Sequence, residues 1–91
     1  MKFALRYEKV VMEQDIPSLA TEWKNRIKKN IEQKLIFYPE IFGKPLRRSL
    51  KGYRKLRVGD FRVVFRIEGQ NVKIFAISHR SIVYKIVAKR I

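Results

Sequence analysis

The sequence predicts an α+β protein, a small antiparallel β-sheet with an N-terminal helical hairpin packed on one face. Two observations carry this. Ile16, Leu19, Trp23, Ile27, Ile31, Leu35 and Tyr38 recur every three or four positions, the apolar stripe of an amphipathic helix. Further along, "KLRVGDFRVVF" (55–65) alternates in twos on either side of a Gly-Asp pair, as the strands of a tight hairpin do. The chain has 91 residues, 46% apolar and 33% charged, which fits one globular domain over 1–91 with a modest core.

The elements follow in order. "KFALRY" (2–7) alternates as a first strand, with Phe3 and Leu5 on one face, and "EKVVMEQ" (8–14) fits one or two helical turns. Asp15 with Pro17 predicts a helix start, a capping residue followed by proline in the first turn. The helix ends at about Tyr38, before Pro39. A break near Leu19 to Thr21 folds it into a hairpin, and an unbroken helix satisfies the same spacing. Residues 39–52 read as a connection with a helical turn near Leu46. Strands follow at about 53–58, 61–67 and 72–78. The last stretch, "SIVYKIVAKRI" (81–91), is either a continued strand or a short helix, and its β-branched content favours strand.

With Gly59-Asp60 as a two-residue loop, Val58 stands opposite Phe61 and Arg57 opposite Arg62. Leu56, Val58, Phe61, Val63, Phe65 and Ile67 then share the face that covers the helical stripe. Tyr53, Lys55, Arg57, Arg62, Val64 and Arg66 share the other, which is expected to be open. Two guanidinium groups directly across a strand pair repel. An anion between them would turn that repulsion into a clamp. Glycine at 59 supplies the positive φ of a tight turn, and Asp60 suits the second position.

Charge is the strongest global signal. Twenty-two Lys and Arg against eight Asp and Glu give a net charge of +14, which points to a polyanionic partner. The cations are spread along the elements rather than gathered in an anchor, so a membrane surface fits poorly. No apolar run approaches the roughly 18 residues of a bilayer span. The chain contains no cysteine, which removes thiolate chemistry and disulfides. "MKFALRYEKV" lacks the apolar stretch of a signal peptide, so a cytoplasmic protein, monomeric alone, is expected. The acids are scattered, with no pair at ligand spacing on one strand face, so neither a metal nor another cofactor is expected.

"GKPLRRSLKGYRKLRVGDFRVVFRI" and the closing "VKIFAISHRSIVY" resemble the RelE/ParE superfamily of toxins from type II toxin–antitoxin modules. The resemblance spans nearly the whole chain and implies the helical hairpin on a small sheet. It implies two different activities: RelE-type members cleave mRNA in the ribosomal A site, and ParE-type members poison DNA gyrase. A non-catalytic RNA-binding protein is a third reading. Both toxin types imply a cognate antitoxin, expected here to be acidic, with which the chain would form a hetero-oligomer, whereas the RNA-binding protein would stand alone. The favoured expectation is a ribosome-dependent mRNA endonuclease.

Metal-free RNA cleavage needs a base for the ribose 2′-OH, cations for the phosphate, and an acid for the leaving 5′-oxygen. By resemblance, Arg62 is the arginine aimed at the scissile phosphate, Arg80 a second phosphate contact, and Tyr84 a ring that stacks on a base. His79 and Lys55 are the candidates for the base, His79 because imidazole ordinarily titrates near neutrality. The chain carries Tyr53 where better-known members have a further lysine, which puts a lysine-based mechanism in doubt. Lys51, Arg54, Arg57 and Arg66 are expected to contact RNA. Each of these has a plainer alternative: a solvated cation at a strand edge, or for Tyr84 an anchor for the C-terminal segment.

Overall fold

The computed structural model describes residues 2–91. Five strands form one sheet in the order β1-β5-β4-β3-β2: β1 Ala4–Tyr7, β2 Lys44–Pro45, β3 Arg54–Val58, β4 Phe61–Glu68 and β5 Asn71–His79. The sheet is antiparallel from β2 to β5, and β1 adds in parallel to the outer edge of β5. The hairpin register is the expected one, with Val58 opposite Phe61 and Arg57 opposite Arg62. Gly59 has φ +59°, and a Cβ there would lie 2.6 Å from Trp23 Cη2, so the turn needs glycine on two counts.

The helical turns expected over 8–14 are present, and they run on through the position where the capping pattern places a helix start. Val11–Asp15 is a wide turn in which the Ile16 N–H donates to the Val11 carbonyl at 2.9 Å. Asp15 therefore closes a turn instead of opening a helix. Its carboxylate accepts the Ile77 N–H of β5 at 2.9 Å and pairs with Arg90 at 2.7 Å. The chain is extended at Ala20, and helix α1, Thr21–Asn30, starts there and continues through a second wide turn, Ile31–Leu35. Short helix α2, Pro39–Phe42, has proline in its first turn, and Arg48–Leu50 forms one tight turn within the connection.

The principal core lies between these helices and the sheet. It contains Val11, Leu19, Ile27, Ile31 and Leu35 from the helical side against Leu56, Val58, Val63, Phe65, Val72, Ile74 and Ile77. The β-branched tail is not a strand. Residues Val83–Arg90 form helix α3, which packs across β4 and β5. Val83 and Val87, four apart on one helix face, are fully buried with Val64, Phe75, Ala76 and Tyr53. Burying each valine stabilises by roughly 1.5–3 kcal/mol, which outweighs the tenths by which β-branching disfavours helix. The second face is accordingly half covered rather than open, with Lys55 and Arg62 toward the hairpin end and Arg66 further along β4 over Tyr53 and Phe75.

A bulge makes this second core possible. Val64 pairs with Ala76 and Phe65 with Ile74, so Phe75 has no partner on β4. The extra residue resets the alternation: Val72, Ile74 and Ile77 face the helices, while Phe75 and Ala76 face α3. Among the described residues, no helix is long and apolar enough to cross a membrane.

Candidate functional site

The covered half of the second face ends where α3 begins, and a groove opens there beside the hairpin. Its volume is about 450 Å³, and Lys55, Arg62, His79, Arg80, Ser81 and Tyr84 line it. All five residues expected to carry chemistry therefore face one space. No carboxylate lines it. The strand register explains three of them, since Lys55 pairs with Val64 and Arg62 with Ser78, while Arg80 directly follows β5. Tyr84 arrives from the first turn of α3, its ring 5.9 Å from Lys55 Nζ.

The Arg62 guanidinium is oriented by its own hairpin. Its Nη1 donates to the Gly59 and Phe61 carbonyls at 2.8 and 2.9 Å, leaving Nη2 and Nε for an anion. Arg80 is fixed at its backbone, where its N–H donates to the Asp60 carbonyl at 2.8 Å. Its side chain is exposed and only loosely paired with Asp60, at 3.8 Å. His79 pairs with Phe61, and the two rings meet edge-on at 5.8 Å. Phe61 in turn packs on Trp23 at 4.7 Å, so α1 braces the histidine. The Ser81 backbone N–H donates to His79 Nδ1 at 3.1 Å, with Ser81 Oγ at 2.8 Å. A backbone N–H can only donate, so in the neutral ring Nδ1 is the acceptor here and Nε2 carries the proton.

The remaining expected RNA contacts disperse. Arg57 lines a smaller depression of about 150 Å³ with Phe42, Lys44, Lys55 and Arg62, which adjoins the groove through the last two. Arg54 points the other way: its Nη1 donates to the Gly43 carbonyl at 2.9 Å and fastens α2 to the sheet. Arg66 shares the basic face but is bound to Glu68 and lies over the Tyr53 and Phe75 rings. That hydrogen bond holds the Glu68 carboxylate below its ordinary range and raises Arg66 above its own. Lys51 is exposed in the connection and lines neither depression. Sequence reasoning missed Phe42, Lys44 and Ser81. Phe42 and Lys44 fall in the segment read only as a connection, whereas Ser81 was visible in the His-Arg-Ser motif.

A third, apolar hollow of about 300 Å³ lies beyond the opposite face, among Leu5, Tyr7, Ile16, Leu19 and Ile31. It shares no residue with the groove, and the charged residues that line it are Lys24, Lys28 and Glu32. Burial, and secondarily the charge of Glu32, raises the pKa of Tyr7 there. Among the described residues, no group of three or more His, Asp or Glu could hold a metal ion.

Residues 6–84 match the family described as ParE toxin of type II toxin-antitoxin system, parDE. Toxin RelE of Mycobacterium tuberculosis is 42% identical over 53 residues, 56% of this chain and 55% of the relative's length. The chain thus spans about half of that curated relative. In the crystal structure of the M. tuberculosis toxin–antitoxin complex RelBE2, a chain 27% identical superposes with a TM-score of 0.81, covering 88% of this chain and 100% of that one. The structure of a mutant E. coli toxin RelE in the free state shares the fold, with 19% identity and a TM-score of 0.76 over 100% of this chain and 99% of that one. So does a toxin–antitoxin complex, RelB-RelE of Methanococcus jannaschii, with 20% identity and a TM-score of 0.67, covering 89% and 96%.

Proposed function

The chain belongs to the ParE toxin family of type II toxin–antitoxin systems, and from that premise we propose that it cleaves mRNA on the ribosome without a metal. One observation carries the reading: Lys55, Arg62, His79, Arg80 and Tyr84 line a single groove free of carboxylates. Such a groove suits a phosphodiester with an unstacked base beside it. Arg62 holds the phosphate with a guanidinium already oriented by carbonyls, so little reorganisation remains for the charged transition state. Arg80 supplies a second, exposed cation. Tyr84 stacks on the base and fixes the ribose next to it.

The tautomer of His79 refines its role. With Nδ1 occupied by the Ser81 N–H, the proton at Nε2 is the one available to a ligand. In this state His79 offers a hydrogen bond to a phosphate oxygen; as the imidazolium it gives a proton to the departing 5′-oxygen, while Lys55, as the free amine, takes the proton of the 2′-OH. The antitoxin is proposed to be an acidic protein from a neighbouring gene, as befits a net charge of +14.

The test is induction in cells with mapping of mRNA 5′ ends, comparing wild type with Arg62→Ala and Tyr84→Ala. Cuts inside translated codons that vanish in both variants support the reading. His79→Ala then lowers the cleavage rate on the order of 10²–10⁴-fold if it transfers the proton. The second reading, a gyrase poison, has the matched parDE family description in its favour. Intact mRNA accompanied by double-strand DNA breaks would establish that reading instead, and toxicity with neither signature would leave an RNA binder.

A further inference from the structure

The smaller depression beside the groove has the makings of a nucleotide site. It is lined by Phe42, Lys44, Lys55, Arg57 and Arg62, one ring and four cations with no carboxylate. Lys55 and Arg62 also line the groove at Tyr84, so the two hollows adjoin across these two cations, and a strand following both would form a trough with Phe42 in one hollow and Tyr84 in the other. We propose that Phe42 is a second base-stacking platform, so that the trough holds a single-stranded RNA segment gripped at both ends. The proposal rests on the RNA-cleavage reading and extends the bound strand beyond the nucleotide at Tyr84.

Three features support it. First, the strand register places like charges face to face twice, Lys44 opposite Lys55 and Arg57 opposite Arg62. Each such pair opposes folding unless an anion lies between. Two neighbouring pairs match a backbone carrying one charge per nucleotide. Second, Phe42 is 41% exposed although its neighbour Pro39 is buried, so the ring is offered to solvent by a fixed scaffold. Lys34 Nζ lies 5.4 Å from the ring, just as Lys55 flanks Tyr84. Third, the scaffold is rigid. Gly43 lies so close to Phe65 that a Cβ would fall 2.1 Å from its Cζ, and Arg54 is hydrogen-bonded to the Gly43 carbonyl. A purely acidic peptide would satisfy the cations, but it would leave the exposed Phe42 ring and the half-buried Tyr84 ring beside them without a stacking partner.

Fluorescence anisotropy with 2′-O-methyl oligonucleotides, which cannot be cleaved through the 2′-OH, reads the trough directly. Phe42→Leu is expected to weaken a hexanucleotide roughly tenfold or more while leaving a dinucleotide nearly unchanged, because stacking contributes about 1–3 kcal/mol per base. Phe42→Trp should restore hexanucleotide affinity, and Ile41→Ala, an exposed neighbour outside the trough, should match wild type. Lys44→Gln should reduce the salt dependence by about 0.7, the loss of one phosphate contact on a single strand. Wild-type affinity in Phe42→Leu, with Arg62→Ala and Tyr84→Ala impaired, overturns the second platform and leaves the cleavage reading intact. Failure of the wild-type protein to bind any oligonucleotide overturns the trough, while the mapping of mRNA 5′ ends in cells decides the cleavage reading separately. A Phe42-dependent affinity for a poly-glutamate peptide exceeding that for RNA would give the trough to an acidic protein segment and overturn the proposal.

Discussion

Asp15→Ala should be among the most destabilising single changes in the molecule. The carboxylate is 7% exposed and its partner Arg90 17%. It accepts the Ile77 N–H at 2.9 Å, Arg90 Nη1 at 2.8 Å and Arg90 Nη2 at 2.7 Å. Alanine leaves the Ile77 N–H without an acceptor, a cost of about 1–3 kcal/mol. It also strands the guanidinium, for which a wholly buried partner would cost about 3–5 kcal/mol. Arg90 keeps its bond to the Phe75 carbonyl at 3.0 Å and can swing to water, so the second figure falls to its lower end or below. A combined loss of about 3–4 kcal/mol follows. Natural domains hold roughly 5–15 kcal/mol in all. Urea unfolding followed by circular dichroism measures it.

The double variant decides the cause. Arg90→Leu alone leaves a buried carboxylate that still accepts the Ile77 N–H, and it should cost less than Asp15→Ala. Asp15→Ala with Arg90→Leu removes both charges, and such replacements are often neutral relative to the intact pair. The two changes should therefore be non-additive by more than about 1 kcal/mol. A loss under about 1 kcal/mol for Asp15→Ala, or strictly additive changes, would refute the account of this pair as the tie between α3 and the helices on the far face.

Three further outcomes are expected. Gly59→Ala, which forces a Cβ to within 2.6 Å of Trp23 at a φ of +59°, should destabilise by about 1–3 kcal/mol, and thermal melts will show whether it does. Tyr7, whose pKa burial raises above 10.0, favours the fold fully below that pH and progressively less as pH climbs through the raised value. Tyr7→Phe should flatten the alkaline decline in stability, and an unchanged slope would contradict its burial in the neutral form. Arg57→Gln relieves the facing pair with Arg62, so at low salt it should raise stability by a few tenths of a kcal/mol. In the wild type, sulfate should stabilise more than chloride of equal ionic strength, and Arg57→Gln should narrow that difference.

How much of the fold was legible in the sequence depended on whether a residue's role was local. The hairpin register follows from a two-residue turn and strict alternation, and those alone bring Lys55, Arg57 and Arg62 to one face. Helix α1 announced itself by spacing. The fate of residues 81–91 could not be read locally, because "SIVYKIVAKRI" has strand propensity and a helical stripe at once. Tertiary burial of Val83 and Val87 against Val64 and Ala76 settles it, and that surface exists only after the Phe75 bulge has turned two successive residues the same way. Asp15 misled for a related reason. Its position before Pro17 has the form of a cap, while its actual partners lie 62 and 75 residues away.

The candidate site inherits both kinds of determination. The cations at Lys55, Arg57 and Arg62 are set by the hairpin, which is local and whose register a one-residue slip would reverse. Tyr84 is set by α3, which is held through packing and the Arg90 tie at its far end. The groove is therefore the seam between a self-determined hairpin and a helix whose placement depends on contacts from the whole chain. A change that loosens α3 should spare phosphate binding by Arg62 while misplacing the stacking ring. Arg90→Leu supplies the comparison: RNA affinity should keep nearly its full salt dependence, because the phosphate contacts persist, while losing the part due to Tyr84. If the salt dependence collapsed together with the affinity, the hairpin and the helix would be one cooperative unit and this division of labour would be wrong.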